Sequence, residues 1–377
     1  MASIQLNNES LLRNAAYING KWIPATTGKT FNVTDPATEQ VIGTMPDMGA
    51  KDTDIAIQAA AAALPRYRKT TARSKSQILH KWYQLLVDSA DDLARLVTAE
   101  NGKPLHEAKN EVLYAAHYFE WFSGEATRLD GETIHASEDG NRIYTIREPI
   151  GVVGLVTPWN WPLGMVTRKI GPALAAGCTV VLKSPGETPL TAAAMVYLGE
   201  QAGVPPGVVN VVTALENTVD VGAALTESPT VKKVSFTGST RVGKILMKQS
   251  ADTLKKLSFE LGGNAPFIVF EDADFDAAVA GAVACKFRSS GQTCICANRI
   301  YVHRSIYDKF AQAFAEKVSK FTIGPGSQPG TTHGPLIHSR AMDKAKEHTE
   351  DALRKGGKLL VGGHALPISA PTSSNSP

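Results

Sequence analysis

The sequence predicts an α/β protein in which a parallel-sheet domain is followed by a second, smaller α/β block. Three observations carry this. Between residues 151 and 250 four short apolar runs alternate with helical stretches: 152–157 then 162–176, 179–183 then 188–202, 208–212 then 218–225, and 231–237 then 239–250. Such a succession reads as parallel strands covered by helices on both faces. A second block starts near Phe267, with a strand over 267–270, a helix over 274–288, a strand over 299–303 and a helix over 305–320. The first third, by contrast, reads as helices.

In that first third, residues 52–64 are Ala-rich with an acidic start, and Pro65 is expected to stop the helix. Residues 73–98 place Ile78, Leu79, Trp82, Leu85, Leu86 and Leu93 at the spacing of one helical face, so a single helix is expected. Asn101-Gly102 breaks it, and Pro104 suits the first turn of a helix running to about Glu125. Residues 142–148 alternate apolar and polar and read as an extended strand. The end of the chain, from residue 365, is rich in Pro and Ser, cannot bury a core, and reads as disordered.

Composition narrows the function. A formal net charge of +3 over 377 residues implies neither a nucleic-acid nor a membrane partner. No apolar run is long enough to span a bilayer as a helix. Residues 1–20 lack the apolar core of a secretory signal; their scarcity of acids, with Arg13, leaves a weak case for a mitochondrial transit peptide against a cytoplasmic setting. Four cysteines are too few for a disulfide framework, and Cys285, Cys294 and Cys296 lie close together, which fits a reducing compartment and a reactive thiol. No metal-ligand spacing occurs, so no metal is implied.

Four segments carry candidate chemistry, each open to a plainer reading. Ser290-Gly291-Gln292-Thr293-Cys294-Ile295-Cys296 can present a thiol on a Gly-containing loop, although a free cysteine is more often a small buried hydrophobe. In Phe259-Glu260-Leu261-Gly262-Gly263-Asn264 a carboxylate lies between a strand and two glycines; it could be a general base, or a solvated strand-end Glu. Thr157-Pro158-Trp159-Asn160-Trp161-Pro162 follows a predicted strand; its Asn amide could donate to an oxyanion, or the segment could be a packed turn. Phe236-Thr237-Gly238-Ser239-Thr240-Arg241-Val242-Gly243 runs from strand to helix, where backbone N–H groups can meet phosphate, but the spacing is not G-x-G-x-x-G. Lys183 and Thr237-Gly238-Ser239 fall at carboxyl ends of strands, where such sheets bind ligands.

Taken in order, Pro158-Trp159-Asn160, Lys183, the 236–243 run, Glu260-Leu261-Gly262-Gly263 and Gly291-Gln292-Thr293-Cys294 resemble the aldehyde dehydrogenase superfamily over about residues 15–364, as does Gly334-Pro335-Leu336-Ile337. Within it, Ala265-Pro266-Phe267-Ile268-Val269-Phe270, Lys286-Phe287-Arg288 and the pair Cys294 and Cys296 are similar to the succinate-semialdehyde dehydrogenase branch.

The resemblance implies a cofactor-binding domain over 1–131 and 151–259, an oligomerisation strand segment over 132–150 and a catalytic domain over 260–364. It implies that Cys294 attacks an aldehyde, that Asn160 and the Cys294 N–H hold the oxyanion, and that Glu260 activates the hydrolytic water. Thr157, Pro158, Trp159, Lys183, Gly186, Glu187, Gly238, Ser239, Gly243 and Leu261 fall at positions expected to surround NAD or NADP. Many NAD-using relatives carry Glu where this sequence has Gly186; losing that carboxylate favours NADP, while the adjacent Glu187 could restore NAD, so dual use is expected. Arg168 and Arg288 match positions that hold a substrate carboxylate, a task suited to the planar guanidinium. Cys296 is placed either to form a reversible disulfide with Cys294 or simply to pack.

The family resembled runs about a hundred residues longer than this chain. Family-like sequence ends near Gly362-Gly363-His364, so the catalytic domain is expected to be incomplete and the homo-oligomeric assembly of the family is in doubt. Besides NAD(P)-dependent oxidation of an aldehyde, two alternatives follow: an inactive fragment that binds cofactor or full-length subunits, and a thiol esterase using Cys294 without hydride transfer.

Overall fold

The computed structural model describes residues 4–365. The stretch expected to be disordered lies, beyond Ala365, outside the described residues. In chain order, hairpins β1 (Ala16–Ile18), β2 (Lys21–Ile23) and β3 (Thr30–Thr34), β4 (Val41–Pro46) precede helices α1 (Ala50–Tyr67), α2 (Ala72–Asp88), α3 (Ala90–Asn101) and α4 (Leu105–Glu125). A hairpin β5 (Thr133–His135), β6 (Arg142–Tyr144) follows. The alternating region comprises β7 (Val152–Val156), α5 (Gly164–Ala175), β8 (Thr179–Ser184), α6 (Pro189–Ala202), β9 (Val209–Thr213), α7 (Thr218–Glu227), β10 (Val231–Thr237), α8 (Thr240–Gln249) and β11 (Lys256–Glu260). The last block holds β12 (Ala265–Val269), α9 (Phe275–Phe287), β13 (Ala297–Val302), α10 (Tyr307–Ser319) and α11 (Ser339–Arg354).

The main sheet has the order β11-β10-β7-β8-β9-β1-β2. Strands β7 to β11 are parallel, as their apolar runs predict, and β1 and β2 extend the far side antiparallel. The chain lays down β7, β8 and β9 in one direction, then returns to place β10 on the other side of β7. Strand order therefore reverses at β7, and the crevice at the carboxyl ends there is where such sheets take ligands.

Helices cover both faces. On one, Trp82 of α2 is fully buried, stacks on Phe119 of α4 at 4.3 Å, and donates its indole N–H to Met195 O at 3.0 Å. On the other, Ile57 of α1 and Leu225 of α7 pack on Val181 and Val212.

Several elements differ from the sequence reading. Residues 73–98 form two helices, because the chain turns at Ser89 (φ −96°, ψ 11°) and Asp91-Asp92 opens α3. Asp92 there accepts the N–H groups of Asn7 and Asn8, each at 2.9 Å, so a long-range contact fixes the break. Pro65 lies inside α1 rather than ending it; in the final turn its missing N–H costs one hydrogen bond at most. The strand expected over 142–148 ends at Tyr144, with one further backbone bond from Thr145 N–H to Glu132 O at 2.8 Å.

The second block is thinner. Parallel β12 and β13 pack one face on α9 and α10 through Val269, Val279, Ala282 and Phe310. The chain leaves Ile268, Phe270 and Tyr301 exposed. No helix among the described residues is long and apolar enough to cross a membrane.

Candidate active site

Cys294 sits on a loop whose backbone is unusual. After α9, Ser289 (φ 52°), Ser290 (φ 54°) and Gly291 (φ 77°) are all left-handed. That region disfavours residues with a Cβ, so two serines there must be held by their surroundings. Ser289 N–H donates to the Glu107 carboxylate at 3.1 and 3.4 Å. Ser290 Oγ donates to Gly334 O at 2.9 Å. Gln292 Oε1 accepts Ile337 N–H at 3.0 Å. The Gly-Pro-Leu-Ile segment is thus the scaffold of the thiol loop. Its Gly334 lies so close to Gly102 that a Cβ would stand 1.9 Å from the Gly102 carbonyl oxygen. The Cys294 thiol is half-buried and unbonded; Cys296 is buried and equally free, with its N–H on Thr293 O.

Asn160 comes to this loop from β7. Its Nδ2 donates to Gln292 O at 2.9 Å, which occupies one of its two N–H groups and leaves the other for a ligand. Behind it, Lys103 and Glu111 form an ion pair with both side chains almost fully buried. Lys103 Nζ also donates to Asn160 O at 3.0 Å, and Glu111 accepts Leu163 N–H at 2.9 Å. Asn101 Nδ2 holds Trp159 O at 3.0 Å.

Glu260 is the last residue of β11 and is exposed. The chain after it runs beside the thiol loop: a Cβ on Gly263 would be in ordinary contact with Cys294 O, at 3.7 Å. Lys169 on α5 lies within electrostatic reach of Glu260 and donates to Ser235 Oγ at 2.7 Å. Burial pushes its amine down to about 8, and the Glu260 charge opposes that shift.

The carboxyl ends of β7, β8 and β10 present the expected cofactor residues. Lys183 is buried; desolvation pushes its amine down to about 8, with Glu187 and Asp47 pulling the other way. Thr157, Ser184 and Thr237 each hold a buried hydroxyl with no partner among the described residues. Orphaned polar groups clustered where strand order reverses fit a bound polar ligand such as a dinucleotide. Ser239 caps α8 by accepting Val242 N–H at 3.3 Å. Gly238 lies under the Phe236 ring, and Gly243 under Leu261, where a Cβ would approach to 2.7 Å. Gly186 has a steric reason besides the one read from sequence: a Cβ there would stand 2.6 Å from the Leu215 side chain. Trp159 faces His338 at 6.3 Å.

The two arginines flank one aromatic pair. Arg288 lies over the Trp161 ring at 4.3 Å and lines a cavity of about 360 Å³ with Lys103, His106, Glu107 and Asn110. Trp161 meets Tyr114 edge-on at 5.7 Å, and Arg168 donates to the Tyr114 and Tyr118 hydroxyls at 3.3 and 2.6 Å.

Sequence reasoning missed Lys103, Glu107, Glu111 and Lys169. One signal was available: Glu111 shares a helical face with Ala108, Val112 and Ala115, and a carboxylate there must find partners inside.

Orphaned hydroxyls at the strand ends where the order reverses, joined through the Asn160–Gln292 bond to a loop that presents a thiol, fit a site for a polar ligand beside a nucleophile. Comparison with known proteins makes the class specific. The profile of the Aldehyde dehydrogenase family matches residues 22–374. Succinate-semialdehyde dehydrogenase [NADP(+)] 1 of Schizosaccharomyces pombe is 54% identical over 92% of this chain and 70% of its own length. Glutarate-semialdehyde dehydrogenase of Pseudomonas putida is 53% identical over 96% of this chain and 75% of its own. Among solved structures, succinate-semialdehyde dehydrogenase from Burkholderia pseudomallei superposes with a TM-score of 0.95 at 50% identity, covering 97% of this chain and 75% of that one. The chain belongs to the aldehyde dehydrogenase family.

Proposed function

We propose that this protein oxidises a short aldehyde that carries a carboxylate, succinate semialdehyde first among them, to the corresponding acid with NADP or NAD. The observation that supports this most is the bond from the Asn160 amide to Gln292 O. It ties an oxyanion donor at the end of β7 to the loop that presents Cys294.

In this reading the Cys294 thiolate adds to the aldehyde carbon. The free N–H of Asn160 and the Cys294 backbone N–H hold the oxygen that becomes negative. A bound nicotinamide supplies the hydride acceptor. Cys294 then carries the acyl group as a thioester, and Glu260 takes a proton from the water that hydrolyses it. Lys183 would bind the adenine-side ribose and its 2′-phosphate, with Glu187 tuning NAD use. Gly238 and Ser239 at the start of α8 would lie along the pyrophosphate. Thr157, Pro158 and Trp159 would line the channel, with Gly243 and Leu261 beside it.

Substrate class rests on Arg288, a guanidinium in a cavity that Lys103 and His106 also line, with Arg168 beyond the aromatic pair. Relatives named for succinate and glutarate semialdehydes match almost equally, which suits recognition of the carboxylate more than of chain length. The exposed β5–β6 hairpin, with Ile143 and Tyr144 open to solvent, suits the proposed oligomerisation segment. Cysteine usage suits a cytoplasmic setting. Cys296 would act as a redox partner of Cys294; a peptide spanning both that keeps its mass after peroxide treatment rejects this.

The deciding assay follows absorbance at 340 nm with purified chain, succinate semialdehyde and NADP. Appearance of reduced cofactor supports the dehydrogenase. Ester hydrolysis without reduction points to the esterase, and neither activity points to a binding fragment.

A further inference from the structure

Two loops meet at the candidate site, and one helix touches both. Glu111 of α4, paired with Lys103, holds the turn that carries Asn160. Glu107, one helical turn earlier, takes the Ser289 N–H at the start of the left-handed run that leads to Cys294. Among the described residues, no other carboxylate lines the cavity in which Arg288 lies. Glu107 is mostly withdrawn from water, and burial raises its carboxyl above the usual range against the opposing pull of Lys103 and the Ser289 amide.

We propose that Glu107 is a positioning residue for the thiol: its carboxylate holds Ser289 left-handed and so sets where Cys294 and Arg288 stand. The physical reason is the conformation it opposes. Ser289 and Ser290 each occupy a region that residues with a Cβ leave unless restrained. Ser290 is tied through Gly334, and Gln292 through Ile337 and Asn160. Ser289 is buried, and among the described residues its hydrogen-bond restraint from outside the loop is Glu107. Without it the first residue of the run loses the bond that opposes its return to ordinary backbone angles, and the loop is expected to shift at its root. The inference rests on the reading of Cys294 as nucleophile but needs no hydride transfer for its test.

The test is alkylation of the full chain by iodoacetamide across pH 6–10, with Cys294 and Cys285 peptides quantified separately by mass spectrometry. Glu107→Ala is expected to slow Cys294 about tenfold and shift the midpoint of its pH profile, the scale of a lost hydrogen bond to a charged group. Cys285, on α9, is expected to react as in the parent. Glu107→Gln keeps one acceptor oxygen and should restore Cys294 to within about threefold. Adding Ser289→Gly to Glu107→Ala should also recover part of the rate, because glycine adopts this φ without strain. Should Glu107→Ala not fold, Glu107→Asp against Glu107→Gln carries the same comparison: the shorter acid is expected to be slow and the amide near parental. Equal Cys294 rates in either pair, or parallel changes at Cys285, overturn the proposal. A parent Cys294 no more reactive than Cys285 would instead reject the nucleophile reading, and this inference with it.

Discussion

Lys183 stands at the end of a strand packed on both faces, whereas Cys294 stands on a loop held by contacts borrowed from distant segments. Around Lys183 the sheet itself does the placing: β7, β8 and β9 are buried along nearly their whole length. Around Cys294 the small β12–β13 sheet covers one face only, and the loop is placed by Glu107, Asn160 and the 334–337 segment. Cofactor binding should therefore tolerate the loss of a single group, while the chemistry should not. Backbone held by a core moves little when one side chain is removed, whereas a loop in left-handed conformation depends on each restraint.

That contrast can be broken, beginning with the largest effect. Cys294→Ser should cut aldehyde oxidation to below about one-thousandth while leaving NADP affinity within roughly twofold. A parallel loss of binding, seen by calorimetry, would mean that the two regions are not separable. Glu260→Gln should lower kcat by about 10²- to 10³-fold and let the acyl-enzyme accumulate, visible as a burst of reduced cofactor followed by a near halt. Slowing of the burst itself would place Glu260 before hydride transfer. Arg288→Ala should raise KM for succinate semialdehyde about 10- to 100-fold and leave a neutral aldehyde little changed. Equal effects on both would remove the carboxylate assignment.

The smallest effect concerns Lys183. Burial holds its folded-state pKa at about 8, below the ordinary 10.5. Below pH 8 the buried amine is charged and costs stability; the cost is relieved as pH rises from about 8 to the ordinary value, so this group favours folding at the alkaline end. NADP affinity should run the opposite way, because a 2′-phosphate pairs with the charged form. Calorimetric titration at pH 7 and pH 9 should show roughly three- to tenfold weaker NADP binding at pH 9, with a Lys183→Met variant flat between them. A parent protein equally flat would detach Lys183 from the phosphate.

The parallel sheet was legible because its strands are apolar along their whole length, a pattern that survives without knowledge of partners. The break at Ser89 was not, because Asp92 owes its role to Asn7 and Asn8, more than eighty residues away. Hairpins β1–β2 and β3–β4 are too short and mixed for periodicity to register. At the candidate site, Cys294, Glu260 and Asn160 are proposed on motif order, not chemistry; each alone admits a bland reading. Glu107 and Glu111, with Lys103 just before their helix, stayed hidden because α4 reads as an ordinary amphipathic helix until the loops it grips are folded against it. Gly186 shows a further limit: the sequence suggests a missing charge, while the Leu215 contact supplies a steric cause for the same residue.

The close approach of Gly334 to Gly102 has a consequence for how the protein is made. A ribosome releases the thiol of Cys294 some forty residues before Gly334, Pro335 and Ile337. Until those backbone groups emerge, Ser290 and Gln292 lack the partners that shape their loop. The nascent chain therefore carries its sulfur in an unset form, and the loop takes its shape only after residues 334–337 have emerged and folded against it.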